Sequence, residues 1–162
     1  MGPGDGREAE MVTTVPRKRI AAVVATAVAL SLAGPLAQER AEAITEEGRA
    51  MRRLINRARV VRGKPRLKLS DRLTTVAQRH SKKMAAESRL HHNSNLAKEL
   101  SSMSWSILGE NVGVGASVRS LHRAFMNSRP HRKNNLRRSF RKVGVGTVFQ
   151  DGRLWVTVVF SG

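Results

Sequence analysis

The chain has 162 residues, a length suited to one domain plus a tail, and its 40% hydrophobic and 26% charged residues allow a packed core. It has no cysteine, which excludes disulfides, thiol catalysis and Cys-ligated zinc; four Phe, two Trp and no Tyr argue against a stacking platform for single-stranded nucleic acid. The net charge of +18 points instead to polyanions in general: nucleic acid, anionic lipid or acidic cell-envelope polymer.

Residues 1–10 are polar and glycine-rich with no periodicity, and translation could begin at Met1 or Met11. A three-part export signal comes next. Arg17-Lys18-Arg19 is basic, residues 20–37 form an uncharged, mostly apolar run, and Ala41-Glu42-Ala43 places small residues where a signal peptidase reads them. The expected division is therefore a disordered N-terminus and signal peptide over 1–43, cleaved after Ala43, and a single secreted domain over 44–162. The alternative is an uncleaved membrane anchor, although the run is barely long enough to span and Gly34-Pro35 interrupts it. Residues 1–43 carry five basic and five acidic side chains, so cleavage leaves the net charge at +18. The basic character belongs to the domain.

In the domain, Thr45 followed by Glu46 and Glu47 predicts a helix start. Met51, Leu54, Ala58 and Val61 fall at helical spacing and predict its buried stripe, which leaves Asn56 and Arg59 on a solvated face. Gly63 and Pro65 end that helix. Ser70 and Asp71 open a second, with Leu73, Val76, Ala77, His80 and Met84 inward; His80 there reads as a packed, hydrogen-bonded histidine rather than a ligand. Leu90-His91-His92-Asn93 is a polar loop, and adjacent histidines rarely face the same way, so at most one is expected to be functional. A short helical turn is predicted over Leu96 to Leu100.

Leu108 to Gly115 sets one carboxylate, Glu110, among glycines and valines. It either ends a strand and pairs with an arginine or joins a site with partners from elsewhere. Ser117 caps a third helix whose stripe is Val118, Leu121, His122, Phe125 and Met126. Pro130 and the asparagines after it predict a loop, placing His131 just beyond a helix C-terminus, where a cationic side chain is favoured. Asp151-Gly152 is a two-residue type I′ turn signal. It pairs Gln150 with Arg153, Val148 with Trp155 and Gly146 with Thr157. Helices followed by a closing hairpin read as α+β with an antiparallel sheet. No phosphate-binding loop, no helix with two histidines around a glutamate and no Gly-x-Ser-x-Gly elbow is present.

The order of motifs is distinctive. Asn56-x-x-Arg59-x-x-x-Gly63-x-Pro65 precedes His91-His92-Asn93, Gly109-Glu110-Asn111-Val112, Ser128-x-x-His131-Arg132-x-Asn134, Val143-Gly144-Val145-Gly146 and Trp155-Val156-Thr157. Over about residues 48–160 this resembles the CAP superfamily of cysteine-rich secretory, antigen 5 and pathogenesis-related 1 proteins, most of all its short secreted bacterial members. The resemblance implies a three-layer α-β-α sandwich with a central antiparallel sheet, the C-terminal β-hairpin and a surface cleft. Carried over by position, His92, Glu110 and His131 are the implied metal ligands for a divalent cation, zinc or magnesium, with Asn111, Ser128, Arg132 and Asn134 shaping the cleft. Two neutral imidazoles and a carboxylate with water in the fourth place make an open zinc set. The chain departs from the family where a second glutamate is expected near Ser128, at Arg129-Pro130 ahead of His131, and at Val158.

Three functions compete. The first is a secreted binding module, not an enzyme, that takes a small ligand, lipid or peptide in the cleft. The second is a metal-assisted, protease-like hydrolase using Glu110 and His131 as its catalytic pair. The third is a cationic protein held on an anionic cell-envelope polymer; nucleic acid is not expected as a specific partner. A monomer is expected.

Overall fold

The computed structural model describes residues 44–162. The expected signal peptide with its cleavage point, and the alternative membrane anchor, lie outside the described residues.

The first helix, α1 (Glu46–Val60), starts as expected. The Thr45 hydroxyl accepts from the Gly48 N–H at 3.0 Å, and Glu46 and Glu47 stand in the first turn. Its inward face corrects the sequence expectation. Met51, Ile55, Asn56 and Arg59 are buried, Leu54 and Ala58 are half-buried, and Val61 is 74% exposed. The cause is the irregular stretch after α1, whose backbone polar groups need partners that no regular element supplies. Asn56 pairs with both the N–H and the carbonyl of Leu67, at 2.8 and 3.1 Å. Arg59 donates to the carbonyls of Pro65, Asn135, Arg137 and Phe140. Two polar side chains expected in solvent therefore hold the interior together.

After the two-residue strand β1 (Lys68–Leu69) comes α2 (Asp71–Ala86), capped by Ser70, with Leu73, Val76, Ala77, His80 and Met84 buried as expected. A short turn, α3 (Leu96–Glu99), stands at the predicted place. Strand β2 (Leu108–Gly115) leads to α4 (Val118–Asn127), which opens with a Ser117–Ser120 capping box and buries Leu121 and Phe125. The predicted loop after it is a further helix, α5 (Arg129–Leu136). Pro130 lies in the first turn of α5, where its missing N–H is not needed. A residue read as a breaker is thus part of a helix start.

Strands β3 (Lys142–Gln150) and β4 (Arg153–Ser161) form the hairpin in the predicted register, Gln150 with Arg153, Val148 with Trp155 and Gly146 with Thr157. Asp151 and Gly152 both take positive φ, 50° and 70°, as a type I′ turn requires. The sheet order is β1-β3-β4-β2. The hairpin and β2 are antiparallel, while β1 joins β3 in parallel, a pairing not anticipated from the hairpin signal.

Central β4 is buried along Leu154–Ser161. Its Val156, Val158 and Phe160 face a core completed by α1 and α4, and its Val159 and Trp155 pack with α2. The result is an α-β-α sandwich. Helix α2 lies directly on β3: a Cβ at Gly144 would come within 2.1 Å of the Leu73 backbone, and one at Gly146 within 2.2 Å of the Ala77 backbone. Beyond the short β1, Gln78 pairs with the N–H and carbonyl of Thr147 at 2.8 and 2.9 Å, standing in for a missing strand.

Candidate functional site

Successive side chains of a strand leave opposite faces. In β2, which ends the sheet, Glu110 shares the α2 side with Leu108, Val112 and Val114, and Asn111 turns toward α5. The loop leaving α2 folds over the first of these sides. His92 Nδ1 donates to Glu110 Oε1 at 2.7 Å, and the Asn93 N–H donates to the same oxygen at 3.0 Å. The two partners differ in environment: the Glu110 side chain is 6% exposed and that of His92 65%. Glu110 Oε2 is buried and has no hydrogen-bond partner among the described residues. The neighbouring histidine is turned elsewhere, as expected for adjacent residues. His91 Nε2 donates to Glu87 at 2.9 Å, and the His91 carbonyl accepts from His80 at 2.8 Å.

The second side is an asparagine network. Asn111, fully buried, donates to the His131 carbonyl at 3.1 Å and to Asn135 Oδ1 at 3.0 Å. Asn134 donates to Asn111 Oδ1 at 3.0 Å and to the Glu110 carbonyl at 2.9 Å. These bonds fasten α5 to the strand that carries Glu110. His131 is not past a helix end, as the sequence suggested, but in the first turn of α5, where the dipole gives a cation no advantage. Its Nδ1 lies 2.8 Å from Ser128 Oγ, and its ring packs on Phe125 with centroids 5.1 Å apart. Burial, with a smaller contribution from His92, holds the His131 imidazole below the ordinary histidine range. Arg132 turns its guanidinium to the Met126 carbonyl at the end of α4.

Of the three implied ligands, the structure brings His92 and Glu110 into contact, while His131 is bonded to Ser128. Among the described residues no group of three or more His, Cys, Asp or Glu gathers to hold a metal ion. Ser128 and Asn134 support the site through hydrogen bonds, and Asn111 is its central buried polar group. Sequence reasoning missed Asn135 and Arg59. Asn135 is fully buried; its side chain accepts from Asn111 and its backbone carbonyl accepts from Arg59. The adjacent Asn134-Asn135 pair carried the signal, hidden because the segment read as a loop.

An extracellular protein with an SCP domain from Bacillus anthracis superimposes with a TM-score of 0.64 at 26% identity; the match covers 71% of this chain and 40% of that one. An outer surface protein from Borrelia burgdorferi gives 0.64 at 17% identity, covering 70% and 90%. A cysteine-rich secretory protein from Staphylococcus aureus gives 0.61 at 22%, covering 72% and 40%. The latter two show the fold alone. This chain thus spans less than half of the Bacillus and Staphylococcus proteins. Comparison with curated protein sequences gives no match. The model of the cysteine-rich secretory protein family, CAP, matches residues 52–160, and with the sandwich and motif order above this chain belongs to the CAP family.

Proposed function

We propose that the chain is a secreted CAP-domain binding module whose polar cleft, centred on His92 and Glu110, engages a ligand through the free oxygen of Glu110. The export-type N-terminal sequence and the extracellular character of the Bacillus relative support secretion. No helix of the described residues is long and apolar enough to cross a membrane. The observation that carries the reading is Glu110 Oε2, buried and unpartnered among the described residues beside an exposed imidazole. An unsatisfied buried acceptor costs about 1–3 kcal/mol, which a ligand donor or a cation would recover.

The donor types suit a divalent cation in part. Glu110 and the rings of His92 and His131 would be its ligands; Ser128 occupies Nδ1 of His131, which leaves Nε2 for the cation. Such a cation would supply a fixed positive charge to orient an anionic or carbonyl ligand group. A hydrolase would need a further group that orients water between Glu110 and His131, and the second glutamate that the resemblance implies near Ser128 is absent from this sequence. Binding is therefore the stronger reading.

Calorimetric titration of the purified chain with Zn²⁺ at neutral pH tests the cation. Saturable one-to-one binding that weakens at least about tenfold in both His92→Ala and Glu110→Ala is the expected result. Equal weak binding in all three proteins would reduce the pair to scaffolding for the loop.

A further inference from the structure

A second surface is built by α1 and α4. Two adjoining hollows of about 390 and 430 Å³ share Leu54 and Arg119 and form one groove between the helices. Leu54 and Met126, both half-buried, contribute to its floor. Its walls carry Arg53 and Arg57 on α1 and Arg119 and Arg123 on α4, all exposed. Each pair is four residues apart on its helix, a separation of roughly 6 Å along the axis. None of the described residues lining the groove is acidic. Arg53 pairs with Glu46 at the start of α1, whereas Arg57, Arg119 and Arg123 make no ion pair among the described residues.

We propose that this groove binds a linear polyphosphodiester of the cell envelope, in which phosphates alternate with short uncharged polyol links. Four guanidinium forks in two facing rows match regularly spaced phosphates, which arginine holds bidentately. A three-carbon link between phosphates spans a distance similar to one helical step between arginines. The carbon skeleton of the links lies against the apolar floor. Nucleic acid fits less well, because none of the described residues lining the groove is an aromatic Phe, Tyr or Trp that would stack a base. A membrane fits less well, because the apolar side chains sit below the arginines rather than projecting past them.

The test is a binding titration of the full chain with polyglycerol phosphate at several salt concentrations. Four phosphate contacts predict saturable binding that weakens about 50-fold between roughly 50 and 200 mM salt, taking the slope for single-stranded polyanions. The double variant Arg57→Gln/Arg123→Gln halves the contacts, so the same salt step should cost about sevenfold. The control Lys83→Gln/Arg89→Gln removes the same charge from in and after α2, across the sheet, and should keep the 50-fold response. All four substituted side chains are exposed, and an unchanged thermal midpoint verifies the fold. Equal losses in both variants, absence of saturable binding, or tighter binding of a single-stranded oligonucleotide or of phosphatidylglycerol vesicles at equal phosphate would overturn the proposal.

Discussion

Arg59 is the residue on which the interior turns. It is fully buried with no carboxylate partner among the described residues; four backbone carbonyls from two chain segments receive its guanidinium instead. Burial is the main cause that lowers its pKa, with the charge of Arg141 adding to it, yet an arginine remains charged at physiological pH. A cation suits this place because Asn135 and Arg137 close the C-terminal end of α5, where carbonyls lack helical partners. Arg59→Met should cost about 3 kcal/mol by orphaning these acceptors, and Arg59→Lys less, since an ammonium keeps the charge but not the fork. Urea unfolding of both variants measures this; a wild-type midpoint for the methionine variant would show that the carbonyls find water. The loss should also loosen α5 and with it His131.

At the scale of elements, two glycines are needed for opposite reasons. Gly146 is needed for space, since α2 rests on it, whereas Gly152 has nothing within 4 Å of a built Cβ but takes a φ of +70° in the hairpin turn. Gly146→Ala should therefore push helix and strand apart at a cost of at least about 1–3 kcal/mol. Gly152→Ala should cost only about 1 kcal/mol, through backbone conformation alone. Thermal unfolding of the two variants separates the effects. Similar losses would mean that α2 can slide on the sheet, an outcome that the paired Gly144 contact and the Gln78–Thr147 bonds oppose.

For the whole molecule, acid is the sensitive direction. A chain already at +18 gains further charge as histidines protonate. His122, between α1 and α4, is held below the ordinary histidine range by burial and, less, by Arg62. Its Nε2 is buried with no partner among the described residues. A histidine depressed in the folded state is protonated first in the unfolded chain, so the unfolded state binds more protons as pH drops below the ordinary value. Stability that is complete above about pH 6.5 is then lost as pH falls through the unfolded and toward the folded pKa. His122→Leu should flatten that decline without lowering stability at neutral pH. Thermal midpoints across this range check it, and an unchanged slope would assign the acid loss to other groups.

Local chemistry made much of the fold legible. Ser70, Thr45 and Ser117 cap helices through bonds to N–H groups three residues away, and Asp151-Gly152 sets the hairpin register within one turn. Motif order likewise indicated the sandwich; of the three residues it set together, His92, Glu110 and His131, the first two are in contact and the third bonds Ser128. The errors share a cause. Whether Asn56 and Arg59 point inward depends on backbone groups that need partners, and for Arg59 three of those carbonyls lie 76 to 81 residues away. Pro130 reads as a breaker or as a first-turn residue according to whether the next residues are helical, and buried Asn135 together with Asn111 decides it. The sequence by itself determined the caps, the turn, the positive charge and the family. Only the tertiary structure decided which face of α1 is core, that His131 opens a helix, and that one Glu110 oxygen has no partner among the described residues, because each rests on contacts between segments distant in the chain.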